Sequence, residues 1–238
     1  MFPKGLIVSS QALEGNPMRS TEKLASMAEA AALGGACALR VDGAAMVREL
    51  KKRCNAPIIA ISKVKDRSGR TVITPSFALA RELKDAGADI IALDATFYPS
   101  EIKEDLSELI ERIHSELGLM VMADISTAKE AERASRLGAD AVSTTLAGYV
   151  PGAIHAPEEL YLPNYGLIEE IANLKLPSVL VAEGRFWTPD SVARAMELGA
   201  EAVVIGKAIT NPMAITKYFI SEIGRLTEKG VNDEADIR

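Results

Sequence analysis

The sequence predicts an α/β protein built as a single-domain (β/α)8 TIM barrel. Eight short apolar segments alternate with longer segments of helical periodicity along the 238 residues. The apolar segments lack the polar alternation of half-exposed strands, which is typical of parallel strands covered on both faces. No linker or shift of composition divides the chain, and eight βα units favour a closed barrel over an open sheet. We expect the barrel to span residues 1–230 and a polar tail to occupy residues 231–238.

The predicted strands are short and rich in Val, Ile, Leu and Ala. In chain order they are GLIVSSQ from Gly5, CALRV from Cys37, PIIAIS from Pro57, DIIALDA from Asp89, LMVMADIS from Leu119, DAVSTTL from Asp140, SVLVAEG from Ser178 and AVVIGKA from Ala202. Each segment has the length and the composition of a strand buried between helices and the barrel interior.

The segments between these strands carry helix start and stop signals. A capping residue opens several of them, at Ser20, Ser76, Thr127 and Thr188, and its side-chain oxygen would satisfy an unpaired backbone amide. Pro189 follows the last of these caps and suits a first helical turn. Four of the helices end in LGGA, AGAD, LGAD or LGAE, where a glycine supplies the left-handed residue after the helix.

Composition narrows the possible partners. The net charge of -6, with no dense Lys/Arg stripe, argues against nucleic acid, and no apolar run is long enough to cross a membrane. Cys37 and Cys54 lack metal-ligand spacing, and His114 and His155 fall in a helix and a loop, so we expect no metal site. With no secretory signal at the N-terminus, we expect a cytoplasmic location.

The ends of the predicted strands carry the residues that suggest function, because catalytic groups of this fold lie at the carboxyl ends of the strands. Every strand ends in polar or glycine residues. They are Ser9, Ser10 and Gln11; Arg40 and Asp42; Ser62 and Lys63; Asp94 and Thr96; Asp124 and Ser126; Ser143, Thr144 and Thr145; Glu183 and Arg185; and Gly206 and Lys207. A layer of structural ion pairs is the alternative, but polar residues at all eight ends favour an active site.

Lys63 is the leading catalytic candidate. It directly follows PIIAIS, where we expect its ammonium group to be buried inside the barrel mouth. Burial lowers the pKa of a lysine, whereas a neighbouring carboxylate such as Glu183 raises it. Such a lysine can transfer protons or form a Schiff base. A solvated loop lysine is the alternative, and Lys65 is the second candidate if the strand ends two residues later.

The last two strand ends predict a phosphate site, because the loops after strands 7 and 8 of such barrels commonly bind phosphate. Gly184 and Gly206 leave room for backbone amides to approach an anion, and Arg185 or Lys207 can add positive charge. Glu183 would then lie beside the reacting part of a phosphorylated ligand.

Together these segments resemble the N-acetylmannosamine-6-phosphate 2-epimerase family. The matching segments, in order over nearly the whole chain, are GLIVSSQAL, PIIAISK, VITPS, GADIIALDAT, MADIST, GADAVSTTLAGY, VAEGR followed by TP, and AVVIGKAIT. The resemblance implies a barrel of the ribulose-phosphate-binding type and an isomerase of sialic acid catabolism. Its reaction would interconvert N-acetylmannosamine 6-phosphate and N-acetylglucosamine 6-phosphate, an N-acylglucosamine-6-phosphate 2-epimerase reaction without a cofactor.

The resemblance also implies roles for single residues. Lys63 and Glu183 would be catalytic, and substrate would be bound by Gln11, Arg40 and Asp124, with Thr145 among the nearby hydroxyls. Phosphate binding would fall to Gly184, Arg185 and Gly206, with Lys207 beside them. This chemistry suits the residues, because the hydrogen at C2 of the open-chain sugar is acidic and its removal and return on opposite faces need no metal or redox cofactor.

Three segments depart from the family pattern. Asp42 stands in a segment that usually reads R-A-N, Val64-Lys65-Asp66 replaces R-D-Y, and Lys207 and Asn211 stand in a segment that usually reads G-G-A-I-T-R-P. Either the phosphate-binding cation has moved from position 211 to Lys207, or the ligand is a related phosphosugar or one with another anionic group.

Two other functions and one structural question stay open at this point. A Schiff-base lyase or aldolase would also use a lysine at this position, and a barrel that only binds a phosphosugar would keep the same mouth. The last helix carries Ile215, Tyr218, Phe219 and Ile220, which fit either core packing or a homodimer contact.

Overall fold

A computed structural model describes residues 1–150 and 162–235 of the chain, with side chains up to residue 225. Its centre is a closed barrel of parallel strands in the spatial order β1-β10-β9-β8-β7-β6-β3-β2. The barrel strands are β1 (Gly5–Ser10), β2 (Ala38–Asp42), β3 (Ile58–Ile61), β6 (Ile90–Asp94), β7 (Met120–Asp124), β8 (Ala141–Ser143), β9 (Val179–Glu183) and β10 (Ala202–Ile205). The eight predicted strands and the closed (β/α)8 barrel are therefore confirmed.

Helices surround the barrel and connect its strands. They are α1 (Thr21–Leu33), α2 (Ala44–Lys51), α3 (Phe77–Asp85), α4 (Leu106–Arg112), α5 (Ala128–Arg136), α6 (Tyr165–Asn173), α7 (Pro189–Glu197), α8 (Lys207–Thr210) and α9 (Pro212–Ala235), with a π-helical turn at Ile113–Leu117 and a 3-10 turn at Thr144–Leu146. The boundary predicted at residue 230 falls within α9, and the division into barrel and tail stays a prediction. Within the described ranges, no helix is long and apolar enough to span a membrane.

Three of the four predicted helix caps are confirmed by hydrogen bonds. The side chains that accept from a first-turn amide are those of Ser20, Thr127 and Thr188. The fourth prediction needs a correction, because Ser76 precedes α3 but its side chain makes no capping bond. The carboxylate of Glu104 accepts from the amide of Phe77 at 3.0 Å instead, so a side chain from the loop before α4 caps α3.

The barrel interior is filled by alternate residues of the strands, because successive side chains of a strand point to opposite faces. The buried interior residues include Ile7, Ala38, Ile59, Ile90, Met122, Ala141, Val181 and Val204. Two residues further along β2, β7 and β9 stand Arg40, Asp124 and Glu183. The same alternation directs these three side chains into the interior at the carboxyl ends of the strands, here called the mouth.

A β-hairpin is inserted in the chain between β3 and α3, while β3 itself pairs directly with β6 in the barrel. Strand β4 (Lys63–Lys65) pairs antiparallel with β5 (Thr71–Ile73), and Lys63 lies opposite Ile73. The carboxylate of Asp66 accepts from the amide of Arg70 at 3.0 Å and thereby closes the turn. The sequence did not predict this hairpin. Lys63 is the first residue of the hairpin. The placement of the hairpin against the barrel therefore determines where Lys63 lies.

His155 and the rest of residues 151–161 lie outside the described residues. His114, the other histidine, lies in the π-helical turn and its Nε2 is 2.8 Å from Asp140 Oδ2. Asp140 also accepts from the amide of Val121 at the same end of the barrel, opposite the mouth. His114 thus lies in a helical segment, as expected from the sequence, and contacts a carboxylate remote from the predicted site residues.

Candidate active site

The centre of the mouth is a buried guanidinium group that binds two carboxylates. Arg40 has a side chain only 1% exposed, and its Nη2 lies 2.6 Å from Asp124 Oδ2. Its Nη1 donates to Glu183 Oε2 and, at 2.9 Å, to Thr145 Oγ1. We call Arg40, Asp124, Thr145 and Glu183 the Arg40 cluster. It brings together four of the predicted site residues, which come from three strands and from the turn after β8.

Thr145 is the meeting point of this cluster. Its Oγ1 lies 2.6 Å from Asp124 Oδ1 and 2.9 Å from Glu183 Oε2. The hydroxyl oxygen of Ser143 is also 2.9 Å from it. The neighbouring Thr144 fixes the backbone of β9, because its hydroxyl donates to the carbonyl of Glu183 and accepts from the amide of Glu183, both at 2.9 Å.

Burial sets the electrostatics of the cluster. It raises the pKa of Asp124 to about 7; the positive charge of Arg40 opposes this rise and the negative charge of Glu183 adds to it. Burial by itself lowers the pKa of Arg40, but the two carboxylates outweigh that effect and the net pKa is raised. Arg40 is therefore a permanent cation, whereas Asp124 can hold a proton near neutral pH.

Lys63 lies in the same mouth on a separate hydrogen-bond network. Its Nζ donates to Gln11 Oε1 at 2.5 Å, and Gln11 Nε2 donates to Ser9 Oγ at 2.8 Å. The backbone amide of Lys63 donates to Asp42 Oδ1 at 3.1 Å. Lys63 is exposed as a whole residue, which differs from the buried position expected from the sequence, but its amine lies against Gln11 where protein atoms partly withdraw it from water.

The pKa of Lys63 is lowered, so of the two opposing effects expected from the sequence the effect of burial is the larger. Burial of the amine is the largest cause, and the charge of Asp42 is the largest opposing effect. The charge of Arg40 lowers this pKa further, and the charge of Glu183 raises it. Glu183 thus influences Lys63 through charge, while its own hydrogen bonds go to Arg40 and Thr145. Asp42, which the sequence placed at the end of strand 2 and marked as a departure from the family, is the carboxylate with the larger effect.

A second charged group lies at the mouth on β6 and the segments beside it. Asp94 Oδ2 is 2.5 Å from Arg70 Nη2, and Asp94 Oδ1 is 3.1 Å from Lys103 Nζ. The Thr96 hydroxyl donates to Asp94 Oδ1 at 2.6 Å, and the guanidinium of Arg70 lies 4.7 Å from the centre of the Tyr98 ring. We call Arg70, Asp94, Thr96 and Lys103 the Asp94 cluster. Reasoning from the sequence found Asp94 and Thr96 and missed both cations.

The predicted phosphate residues lie where β9 and β10 end. Gly184 has a φ of 114° and Arg185 a φ of 64°, so two successive residues turn the chain out of β9 in conformations that glycine adopts more easily. Arg185 Nε donates to the carbonyl of Leu162 at 2.6 Å and ties two loops of the mouth together. Gly206 precedes α8, and Lys207 is exposed as the first residue of that helix. Their roles in phosphate binding stay predictions.

Asn211, a departure from the family pattern, has a structural task. Its Oδ1 accepts from the amide of Ala214 at 3.1 Å, in the first turn of α9. The same oxygen accepts from Asn16 Nδ2 at 3.2 Å. Asn211 therefore stabilises the start of α9 and connects it to the loop after β1.

The aromatic side of α9 divides into a packed part and an exposed part. Tyr218 stacks on Trp187, with ring centroids 4.6 Å apart. Phe219 and Ile220 are 61% and 66% exposed. Core packing thus accounts for Tyr218 and not for its two neighbours, and the homodimer stays a prediction.

The fold and the mouth are those of a (β/α)8 barrel with acid–base groups at the carboxyl ends of its strands. Residues 24–225 match the family described as "Putative N-acetylmannosamine-6-phosphate epimerase". The chain belongs to this family of N-acetylmannosamine-6-phosphate 2-epimerases. The predicted family, and with it the predicted class of carbohydrate epimerases, is confirmed.

Individual relatives agree with the family match over nearly the whole chain. Two proteins named "Putative N-acetylmannosamine-6-phosphate 2-epimerase" come from Caldanaerobacter subterraneus subsp. tengcongensis and Cutibacterium acnes. The first is 43% identical over 222 residues, with 92% of this chain and 91% of the relative covered. The second is 41% identical over 216 residues, with 90% and 92% covered. The solved structure of the N-acetylmannosamine-6-phosphate 2-epimerase from Clostridium perfringens superposes with a TM-score of 0.84 at 38% identity, covering 91% of this chain and 92% of that one.

Proposed function

We propose that this protein interconverts N-acetylmannosamine 6-phosphate and N-acetylglucosamine 6-phosphate by moving a proton at C2 of the sugar. The names of its relatives support the substrate and the reaction. The single observation that carries the proposal is the presence, at one mouth, of a lysine of lowered pKa and of a carboxylate held by Arg40 that acts on this lysine through its charge.

Lys63 acts as one acid–base group of the reaction. The hydrogen at C2 is acidic while C1 is an open-chain aldehyde, and its removal gives an enolate. The lowered pKa of Lys63 increases the fraction of neutral amine, which is the form that accepts the proton. Glu183 returns a proton to the opposite face of C2 and inverts the centre. In the reverse direction the two groups exchange roles.

Gln11, Arg40, Asp124 and Thr145 form the proposed substrate-binding set. Gln11 and Thr145 are partly exposed, so we expect these two side chains to contact the sugar. Arg40 and Asp124 are buried, and we expect them to act mainly by fixing the position and charge of Glu183. A carboxylate held in this way is already oriented before substrate binds, which lowers the entropic cost of reaching the transition state.

The phosphate group binds at Gly184, Arg185, Gly206 and Lys207 in our proposal. Asn211 carries no charge and its side chain is bound to α9 and Asn16, so Lys207 takes the role of a cation at position 211 in this proposal, beside Arg185. Lys207→Gln is expected to raise KM about 10-fold with kcat nearly unchanged, since one charge-assisted hydrogen bond is lost. Lys217→Gln, another exposed lysine, is the control. An unchanged KM in Lys207→Gln would assign the phosphate to Arg185 or to a different ligand.

The cellular setting completes the proposal. We propose a cytoplasmic enzyme that acts on a small phosphosugar and has no nucleic-acid or membrane partner, in agreement with its net charge of -6.

We also propose a homodimer that covers the exposed residues Phe219 and Ile220 of α9. Light scattering of the wild-type protein and of Phe219→Ser measures this directly.

A panel of N-acetylhexosamine 6-phosphates in heavy water tests the reaction and the substrate together. Proton NMR is expected to show epimerisation with deuterium incorporation at C2. Exchange with a different phosphosugar only would support the second interpretation of the departures at Asp42, Lys207 and Asn211. A borohydride-trapped adduct at Lys63 would instead support a Schiff-base enzyme. No exchange with any member of the panel would support a barrel that only binds its ligand.

A further inference from the structure

The Thr145 hydroxyl has more neighbours than hydrogen bonds to make. A hydroxyl donates one hydrogen bond and accepts two. Four polar atoms surround Thr145 Oγ1, from Asp124 at 2.6 Å, Glu183 at 2.9 Å, Arg40 at 2.9 Å and Ser143 at 2.9 Å. Arg40 can only donate, so it takes one of the two acceptor positions. If both carboxylates are ionised, Thr145 donates to one of them, and no proton lies between the Thr145 oxygen and the other carboxylate.

A single proton lets Thr145 hydrogen-bond to both carboxylates and to Arg40, which uses its one donor and two acceptor positions and leaves Ser143 as a van der Waals neighbour. If Asp124 carries the proton on Oδ1, it donates to Thr145, and Thr145 donates to Glu183 without interruption. Without that proton, Thr145 donates to the closer Asp124 oxygen at 2.6 Å and no proton lies in its 2.9 Å contact with Glu183; with it, both contacts are hydrogen bonds. If Glu183 carries the proton, the same chain runs in the opposite direction.

The charges of the cluster lead to the same proton count. Arg40 is one cation between two carboxylates, and the side chains of Arg40, Asp124 and Glu183 are 1%, 0% and 17% exposed. An unbalanced buried charge is costly, so one added proton makes the group neutral. The raised pKa of Asp124 agrees with this count.

We propose that the Thr145 hydroxyl relays one proton between Asp124 and Glu183, so that the two carboxyl groups act as one acid in the reaction. Thr145 is a positioning residue in this proposal, which rests on the proposed function of Glu183. The step is balanced: the proton of Asp124 bonds to Thr145 Oγ1, and the original hydroxyl proton passes to Glu183. Asp124 becomes a carboxylate and Glu183 a carboxylic acid, ready to protonate C2.

The relay gives the catalytic carboxyl group a protonated partner that solvent does not reach. Before turnover the pair holds one proton, and after Glu183 has protonated the substrate it holds none. In the reverse direction the pair begins empty and takes the proton from C2. Outside the cluster, the charges of Lys63 and Asp42 also act at the mouth. The carboxylate of Asp94 on β6 lies beside Asp124, which is on β7. Asp94 is neutralised by Arg70 and Lys103.

Thr145→Val tests the relay, because valine keeps the shape of threonine and removes the hydroxyl. We expect kcat to fall about 10- to 100-fold, less than the roughly 10²- to 10⁴-fold of a whole acid–base contribution because Glu183 itself remains, with KM changed less than about 3-fold by the loss of one hydroxyl. The alkaline limb of the kcat profile should move to lower pH in the direction that uses Glu183 as the acid, because Asp124 no longer supplies its proton. Thr145→Ser restores a hydroxyl and should recover most of kcat and the wild-type profile.

Three outcomes would overturn the relay. They are an unchanged kcat in Thr145→Val, a change confined to KM, or equal losses in Thr145→Val and Thr145→Ser together with lower thermal stability. The last pattern would indicate a packing role only. Failure of the proposed function is distinguishable, since the wild-type protein itself would then show no exchange at C2. A relay failure leaves wild-type exchange intact.

Discussion

The mouth contains two buried charged clusters with opposite imbalances. The Arg40 cluster has one cation and two carboxylates, whereas the Asp94 cluster has two cations and one carboxylate. They lie side by side, because Asp94 and Asp124 are register partners on β6 and β7. In the first cluster burial raises the pKa of Asp124 to about 7. In the second, burial lowers the pKa of Lys103 and the charge of Asp94 opposes that effect.

The imbalance decides what each cluster does. A group with a surplus carboxylate has a place for a mobile proton, which suits proton transfer. A group with a surplus cation has both cations bound to its single carboxylate, which suits a fixed contact. The fixed contact of Arg70 with Asp94 fastens the hairpin of β4 and β5 to β6, and Lys63 begins that hairpin. We infer that the Asp94 cluster supports the site and that the Arg40 cluster acts in it.

The sharpest test of this contrast exchanges one carboxylate for an amide in each cluster. Glu183→Gln should lower kcat by about 10²- to 10⁴-fold with little loss of stability, because a proton carrier is lost from a group with excess negative charge. Asp94→Asn should cost about 3–5 kcal/mol of stability, because Arg70 and Lys103 then face each other without a carboxylate. Proton NMR and urea unfolding measure the two effects. A stable but inactive Asp94→Asn would place Asp94 in the reaction and contradict the contrast.

A smaller effect is expected from Arg70→Gln. The substitution removes hydrogen bonds to Asp94 and Thr96 and should destabilise the protein by about 1–3 kcal/mol. Because Lys63 shares the hairpin, we also expect kcat to fall about 10-fold with KM nearly constant. Arg67→Gln, in the exposed turn of the same hairpin, is the matched control. Equal behaviour of the two variants would show that the hairpin does not depend on the Asp94 cluster.

The remaining expected effect is a pH dependence of stability that belongs to Asp124. Its pKa rises from 3.8 to about 7 on folding, so the folded state binds more protons than the unfolded state between these values. The contribution to stability is complete below the lower value and is lost as the pH rises toward 7. Lys63, whose pKa is lowered, acts at alkaline pH with the opposite sign. The difference in unfolding free energy between wild type and Asp124→Asn, measured by urea from pH 4 to 8, should follow this course; a flat difference would contradict it.

The sequence predicted the parts of this mouth that follow from strand periodicity. Asp124 and Glu183 end apolar strands and Arg40 lies two residues before the end of another, and parallel strands bring their ends to one edge, so their proximity could be deduced. The contacts of Arg70 and Lys103 could not. Arg70 lies in a run of charged residues without apolar alternation, which gives no sign of a hairpin.

Contacts formed between loops were the other gap. Lys103 reaches Asp94 from the loop before α4, and Glu104, in the same loop, replaces Ser76 as the cap of α3. Local patterns specify which residue types begin a helix but not which distant side chain takes over that task. Asp42 stands between the predictable and the unpredictable contacts. Its place beside Lys63 follows from the pairing of Asp42 with Ile61, but only once the strand register is known.

Deuterium incorporation at C2 of N-acetylmannosamine 6-phosphate in heavy water, compared between Lys63→Ala and Lys65→Ala, tests the central claim most directly. Both lysines lie on β4 and both are exposed toward solvent in part, so the pair controls for general effects on the hairpin. The wild-type protein and Lys65→Ala should incorporate deuterium at similar rates, and Lys63→Ala should bind the sugar phosphate without exchange. Exchange at the wild-type rate in Lys63→Ala would contradict the account, and loss of exchange in Lys65→Ala alone would move the acid–base role to that residue.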